Sequence, residues 1–347
     1  MDDLTYMALA AKVAAKAGPD ETYENPRVGA IIVKNGQILA TGYHHSFGAA
    51  HAEINAFENL RDQTDIVDST MYVTLEPCFV TGKVGACALA IAQWGVKRVV
   101  VGSFDPNPDT HGRSVTFLRQ AGIRVDVLGT EDSQILNPAF YHYFERHLPY
   151  VQLKLAESAN HFVASSKGQS TKITNRLADI DVHKESASKS AILIGSETIL
   201  IDQPNLTVRH VPINHPQPLR VVIDRRGRLQ NKMDRATNNW LIFTTNTDFA
   251  KQYDNVLLMS HGLLSVLTSL ASKNIQSVMV EGGPSLITAF LKANLWQEFI
   301  VYTADSILSE DGVPSVQPLF NSVSSYRVGN TLKSRYLNDR SVSCLQE

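Results

Sequence analysis

The chain has 347 residues, 44% hydrophobic and 19% charged, with 32 basic against 34 acidic side chains and a formal charge of -2. That length is long for one core and comfortable for two domains. The near balance of charge and the lack of any Lys/Arg-rich run leave no footprint for a nucleic-acid backbone. No apolar run approaches the roughly 18 residues of a membrane span. Three cysteines, Cys78, Cys87 and Cys344, make no disulfide scaffold and fit a reducing compartment, so a cytoplasmic enzyme is expected. The opening MDDLTYMALAAKVAAKAG is acidic and then helical, unlike the basic front of a secretory signal.

In chain order, apolar spacing predicts a helix over Leu4 to Ala15. Strands follow at Val28 to Val33 and Gln37 to Tyr43, joined by the turn pair Asn35-Gly36. A helix from His51 to Leu60, a strand from Met71 to Leu75 and a helix from Ala86 to Trp94 come next. Then come a strand Arg98 to Gly102, a helix Ser114 to Ala121, a strand Ile123 to Leu128 and a short helix Asn137 to Arg146. This alternation implies a sheet between helices. The boundary is placed near Pro149, giving domains 1–146 and 149–347. The second opens on a strand at Tyr150 to Ala156. Further strands are expected at Ala191 to Gly195, Leu219 to Asp224, Trp240 to Thr245 and Val278 to Gly283, with an amphipathic helix after Pro284. It reads as a second α/β domain.

Chemistry concentrates in His51-Ala52-Glu53, then Glu76-Pro77-Cys78, then Cys87. Zinc takes His nitrogen and Cys thiolate in a tetrahedron, and three protein ligands leave one position for water. Each piece alone is weak, since a helix-face His and buried free cysteines are ordinary. Their joint order, His-x-Glu and then Pro-Cys with a second Cys at a helix start, is the signature of zinc nucleobase deaminases. A helix N-terminus also favours thiolate over thiol. Glu53 is the expected proton carrier, from water to the ring nitrogen and then to leaving ammonia. Cys344 has no such company and is read as inert.

Eight residues separate Cys78 from Cys87, wider than the Cys-x-x-Cys of nucleoside and nucleic-acid deaminases. With Asn25-Pro26-Arg27-Val28-Gly29-Ala30, Gly42-Tyr43-His44, VTLEPC (Val73 to Cys78), Gly82-Lys83, KRVVVG (Lys97 to Gly102) and DPNP (Asp105 to Pro108), the chain resembles the bifunctional deaminase–reductase of riboflavin biosynthesis. The resemblance implies a cytidine-deaminase-like three-layer domain followed by a dihydrofolate-reductase-like α/β domain. It implies one Zn2+ on His51, Cys78 and Cys87. The implied substrate is a phosphorylated pyrimidine, a diaminohydroxy-pyrimidinone with a phosphoribosylamino group, met by Asn25, His44 and Lys83. The family loop has a His where this chain has Val80, and a proline pair where it has Gly85-Ala86.

In the second half PYVQLKLA (Pro149 to Ala156), Gly168-x-Ser170, Ile173-Thr174, Asp181-Val182-His183, ILIGSETILIDQPNLTVR (Ile192 to Arg209), RVVID (Arg220 to Asp224) and VEGGPSL (Val280 to Leu286) are similar to the family's reductase domain. A strand, two glycines and a helix start let backbone approach a pyrophosphate. The resemblance implies NADPH along Gly195, Thr198, Gly282 and Gly283, and substrate along Lys154, Asp202, Arg209 and Glu281. It also implies association of copies through this domain. Four positions depart from the family: Asn160 for Asp, Lys172 for Trp, and Asp179 and Ser186 for two arginines. Arg176, Lys184 or Lys172 are the nearby candidates to replace the lost charge toward a ribose phosphate.

Three readings follow. The chain deaminates and then reduces ribosyl to ribityl with NADPH. Alternatively, the deaminase works beside a second domain turned into a binding or dimerisation module. The third is a deaminase of another base, motivated by Val80 and opposed by the neutral charge and wide cysteine spacing.

Overall fold

The computed structural model describes residues 1–79, 86–232, 240–317 and 321–338. The chain divides into two compact units, Met1–Arg146 and His147–Glu347. The first holds helices α1 (Asp3–Ala14), α2 (Pro19–Thr22), α3 (Ala52–Glu58), α4 (Cys87–Gln93), α5 (Arg113–Gln120), α6 (Asp132–Leu136) and α7 (Pro138–Arg146). Its strands are β1 (Gly29–Lys34), β2 (Gln37–Tyr43), β3 (Thr70–Leu75), β4 (Arg98–Ser103) and β5 (Arg124–Val127). They form one sheet in the order β2-β1-β3-β4-β5. The hairpin β1–β2 is antiparallel and turns on Asn35 and Gly36, both at positive φ, as a type I′ turn requires.

Alternation along β1 sorts its side chains to two faces. Ile31 and Val33 join Tyr6, Met7 and Ala10 of α1. Ala30 and Ile32 join Ala52 and Ala56 of α3, Ala88 and Ile91 of α4, and Val115 and Leu118 of α5. The unit is therefore a three-layer α/β/α sandwich, the expected deaminase-like class. Two glycines let helices sit this close. A Cβ on Gly29 would lie 2.1 Å from the Ala10 carbonyl oxygen, and one on Gly42 would lie 2.1 Å from the Ala56 nitrogen.

The second unit holds strands β6 (Tyr150–Glu157), β7 (Phe162–Ala164), β8 (Ala191–Gly195), β9 (Leu219–Ile223), β10 (Leu241–Thr244), β11 (Val256–Leu258) and β12 (Ser277–Glu281). β13 (Glu298–Ala304), β14 (Val313–Pro314), β15 (Ser324–Val328) and β16 (Thr331–Leu337) follow. Its helices are α8 (Arg176–Ala187), α9 (Ser196–Asp202), α10 (Thr247–Gln252), α11 (Gly262–Ala271) and α12 (Pro284–Ala293). The main sheet runs β11-β10-β9-β8-β12-β6-β13-β16-β15, parallel except that β16 runs against β13 and β15. One face buries Leu153, Leu193, Val221, Phe243, Val280, Ile287, Phe290 and Phe299.

The sequence reading did not find α8, α11, β13, β15 and β16. β16, TLKSRYL, carries Lys333 and Arg335, which read as solvent-facing. Lys333 is nonetheless buried between Asp181 and Glu185 of α8, each 2.7 Å away. Arg335 pairs with Glu298 of β13. Buried charge is tolerated once it is paired and hydrogen-bonded, and those partners are invisible to a local pattern.

Candidate active sites

In the first unit the sheet delivers three ligand types to one point. Gly42 seats α3 against β2, so His51 caps that helix and Glu53 lies in its first turn. Cys78 follows the end of β3, and Cys87 opens α4. His51 Nδ1 stands 3.4 Å from Cys78 Sγ and 3.3 Å from Cys87 Sγ. The three ligand atoms all lie within 4.8 Å of one another. Ligands held at ~2.0–2.3 Å on a tetrahedral zinc stand roughly 3.5–4 Å apart, so one imidazole and two sulfurs this close fit that ion. The Cys87 backbone N–H donates to Cys78 Sγ at 3.3 Å. The Cys78 thiol is pushed down to about 4, first by its hydrogen bond with Cys87, which favours the thiolate that a metal takes.

Glu53 is buried, and burial with the Cys78 charge beside it raises its carboxyl to about 7. A carboxyl poised there can accept and return a proton at neutral pH. The loop that presents Cys78 is clamped by its neighbour Glu76. That buried carboxylate accepts from Gly112 N at 2.9 Å, Ser114 Oγ at 2.7 Å, Asp105 N at 3.3 Å and Val115 N at 3.4 Å. Sequence reasoning quoted Glu76 only as part of a motif and missed this role. The acceptors' wealth of N–H partners lies in the turn after Asp105, distant in sequence.

Asn25 and His44 meet each other beside the ligands. Asn25 Nδ2 is 3.2 Å from His44 Nε2, and His44 Nδ1 is 3.1 Å from the Ala50 carbonyl oxygen. A carbonyl only accepts, so the Nδ1 proton goes to Ala50 and Nε2 accepts from Asn25. Burial lowers the His44 pKa and keeps the ring neutral. Its ring stands edge-on to His51 with centroids 5.6 Å apart. Lys83 and Val80 lie outside the described residues.

In the second unit a cleft of ≈ 1010 Å³ opens at the carboxyl ends of β6, β12, β8 and β9, where parallel sheets take ligands. Gly195, Thr198, Gly282, Gly283, Lys154, Asp202 and Glu281 all line it. Lys154 faces Glu281 at 3.8 Å. Arg209 does not line the cleft; it is exposed, and its N–H donates to His183 Nδ1 at 3.4 Å. Gly283 caps α12, and a Cβ there would meet nothing within 4 Å. On Gly195 a Cβ would touch only Leu286, at 4.0 Å. Open backbone at a ten-residue helix start fits a pyrophosphate.

The four departures separate on geometry. Lys172 lines the cleft and pairs with Asp179 at 3.0 Å. Ser186 is buried instead, donating to the Val182 carbonyl oxygen at 2.9 Å. Asn160 clamps a loop, its Oδ1 accepting from Leu308 N at 3.0 Å and its Nδ2 donating to Leu308 O at 2.8 Å. Neither Asn160 nor Ser186 lines the cleft.

Sequence comparison agrees with the division of labour. Residues 1–103 match the cytidine and deoxycytidylate deaminase zinc-binding region. Residues 149–334 match the RibD C-terminal domain. The riboflavin biosynthesis protein RibD of Aquifex aeolicus is 36% identical over 318 residues, 89% of this chain and 88% of that protein. The chain belongs to the RibD family. Escherichia coli RibD is also 36% identical, over 332 residues and 90% of both chains. Among solved structures, Acinetobacter baumannii RibD superposes with TM-score 0.79 at 30% identity, covering 96% of this chain and 98% of that one. The Thermotoga maritima diaminohydroxyphosphoribosylaminopyrimidine deaminase/5-amino-6-(5-phosphoribosylamino)uracil reductase gives 0.77 at 32%, covering 95% and 97%. The chain thus carries the family's zinc-binding deaminase region and its C-terminal reductase domain together, and no helix among the described residues is long and apolar enough to cross a membrane.

Proposed function

We propose that the chain hydrolyses the ring amino group of 2,5-diamino-6-(5-phosphoribosylamino)pyrimidin-4-one and then reduces the ribosyl group of the product to ribityl with NADPH. The observation that carries the first half is the meeting of His51, Cys78 and Cys87 within 4.8 Å around a buried Glu53. Zinc held there supplies Lewis acidity that makes water a nucleophile at neutral pH. Glu53 takes the proton that the attacking water loses and passes it to the ring nitrogen. It then protonates the departing amine, so that water and the amine exchange for a carbonyl and ammonia. Asn25 offers its carbonyl and amide to the ring edge, with His44 holding it in place. Burial of Glu53 and His44 excludes bulk water from the proton path.

For the second half, Gly283 brings open backbone to the pyrophosphate with Gly282 beside it in the cleft lining, and Lys154, Asp202 and Glu281 face the substrate. NADPH bound along these residues would supply a hydride to the ribosyl C1′ carbon as its bond to the ring oxygen O4′ opens, with a solvent-derived proton going to that oxygen. The Lys154–Glu281 pair keeps that end of the cleft near neutral. Lys172 offers a cation toward the ribose phosphate, held by Asp179. Incubating the protein with the pyrimidinone phosphate, with and without NADPH, tests both halves by mass spectrometry. Ammonia release with no NADPH-dependent mass gain of two hydrogens would leave the second domain a binding module. Release from cytidine or adenine with none from the pyrimidinone would refute the substrate assignment.

A further inference from the structure

The backbone that carries Asn25 is held from a distant part of the first unit. Asn137 sits between α6 and α7 and is 7% exposed. Its Oδ1 accepts from the Arg27 N–H at 2.7 Å, and its Nδ2 donates to the Arg27 carbonyl oxygen at 3.0 Å. One amide side chain thereby pairs with both backbone groups of Arg27, as a neighbouring strand would. The same Nδ2 donates to the Ser133 carbonyl oxygen at 2.9 Å, so both its protons are used. The Arg27 guanidinium adds a bond to the Leu136 carbonyl oxygen. The two partners, Arg27 and Asn137, are 110 residues apart in sequence.

Only Pro26 separates Arg27 from Asn25. Its ring locks one of the dihedrals that join the two, and the residue before a proline is confined to extended backbone. Fixing the Arg27 backbone therefore fixes Asn25 with little slack. From the other side the Asn25 N–H donates to the Thr22 carbonyl oxygen at 3.1 Å. Past Arg27, the Val28 carbonyl oxygen accepts from the His44 N–H at 3.0 Å, and Val28 packs with Leu75, Phe140 and Tyr141. Asn25 and His44, whose side chains meet at 3.2 Å, are thus set against each other by one strap of backbone. The side-chain bonds of Asn137 go to Arg27 and Ser133, while α3, α4 and the end of β3 present His51, Glu53, Cys87 and Cys78.

We propose that Asn137 is a positioning residue for deamination: it holds the Asn25-Pro26-Arg27 strap so that the Asn25 amide meets the pyrimidine edge, and it acts on the reaction through Asn25. The inference rests on the deaminase reading above, in which Asn25 contacts the ring. Without the Asn137 amide, the two Arg27 backbone groups lose their partners inside the fold, and the strap shifts to regain them. A shift near 1 Å is enough to cost about a hundredfold in rate.

Steady-state ammonia release from the pyrimidinone phosphate tests it, with zinc content and melting curves on the same full-length samples. The proteins are the wild type, Asn25→Ala, Asn137→Ala and the double variant. Asn137→Ala should keep its zinc, lower kcat/KM by about 10- to 100-fold, and divide that loss between KM and kcat as Asn25→Ala does. The double variant should stay within about twofold of Asn25→Ala, because coupled positions do not add. Losses that multiply in the double variant would make the two residues independent and overturn the proposal. So would an Asn137→Ala enzyme within about twofold of wild type. Asn137→Asp keeps the acceptor for the Arg27 N–H and loses both donors, and it carries the same cycle where Asn137→Ala does not fold. Loss of zinc in both variants would make Asn137 a residue of the fold alone, which also overturns the proposal. An Asn25→Ala enzyme as fast as wild type, or a wild type that releases no ammonia from the pyrimidinone, would instead remove the reading of Asn25, and this inference with it.

Discussion

Replacing Gly42 by alanine places a methyl carbon 2.1 Å from the Ala56 nitrogen and 2.6 Å from the Ala52 carbonyl oxygen. Ordinary contact begins near 3.4 Å, so α3 has to retreat from β2 by about 1 Å or more. That helix carries His51 at its cap and Glu53 in its first turn, while Cys78 and Cys87 arrive on other elements. Overpacking of this kind costs about 1–3 kcal/mol, and zinc ligands tolerate only ~0.2 Å. If the strain falls on the metal-bound state, zinc affinity drops roughly 5- to 150-fold. Gly29→Ala is the matched control. Its Cβ would meet Ala10 of α1 at 2.1 Å, and α1 contributes none of His51, Cys78 or Cys87. It should lower the melting temperature by a similar amount yet leave zinc affinity per folded molecule unchanged. Competition against a fluorescent chelator, with melting curves on the same samples, reads both effects. Wild-type zinc affinity in Gly42→Ala, or equal zinc loss in both variants, would refute the claim that Gly42 sets the position of His51.

Further outcomes follow from the same contacts. Glu53→Gln should retain zinc but slow ammonia release by about 10²–10⁴-fold, and turnover within a few-fold of wild type would exclude its proton role. Cys78→Ser should bring the zinc content found by elemental analysis close to zero. Asp202→Asn, exposed at the cleft, should impair reduction and spare deamination; equal loss in both assays would contradict separate sites. His142 is lowered to about 4 by burial. The folded form therefore binds fewer protons than the unfolded one between about pH 6.5 and 4, and the neutral ring's stabilisation, at most ~3 kcal/mol, is full above 6.5 and lost as pH falls through that window. Denaturant titrations of wild type and His142→Gln should show their difference changing by up to that amount between the two pH values, and a pH-independent difference would contradict the shift.

The metal constellation was legible in the chain because its grammar is local. His51 and Glu53 share one helix start, Cys78 comes just after a strand, and Cys87 opens a helix, so residue type and spacing name the chemistry before any fold is known. The Asn35-Gly36 turn and the alternating strands around it were legible for the same reason, since φ > 0 at two successive positions selects those residues. Short-range order also separated the two α/β series.

What tertiary structure alone decided is the set of relations between distant residues. Lys333 is buried because Asp181 and Glu185 wait for it on α8, and a pattern that scores lysine as exposed loses β16. Glu76 clamps the metal loop through N–H groups more than 25 residues away. Ser186 and Asn160 stand in sequence at positions that depart from the family, yet in the fold one bonds back to the Val182 carbonyl oxygen of its own helix and the other clamps a loop at Leu308. Backbone preference and hydrophobic period act over a few residues. Charge compensation and cleft geometry act through space, and only the folded sheet order brings their partners together.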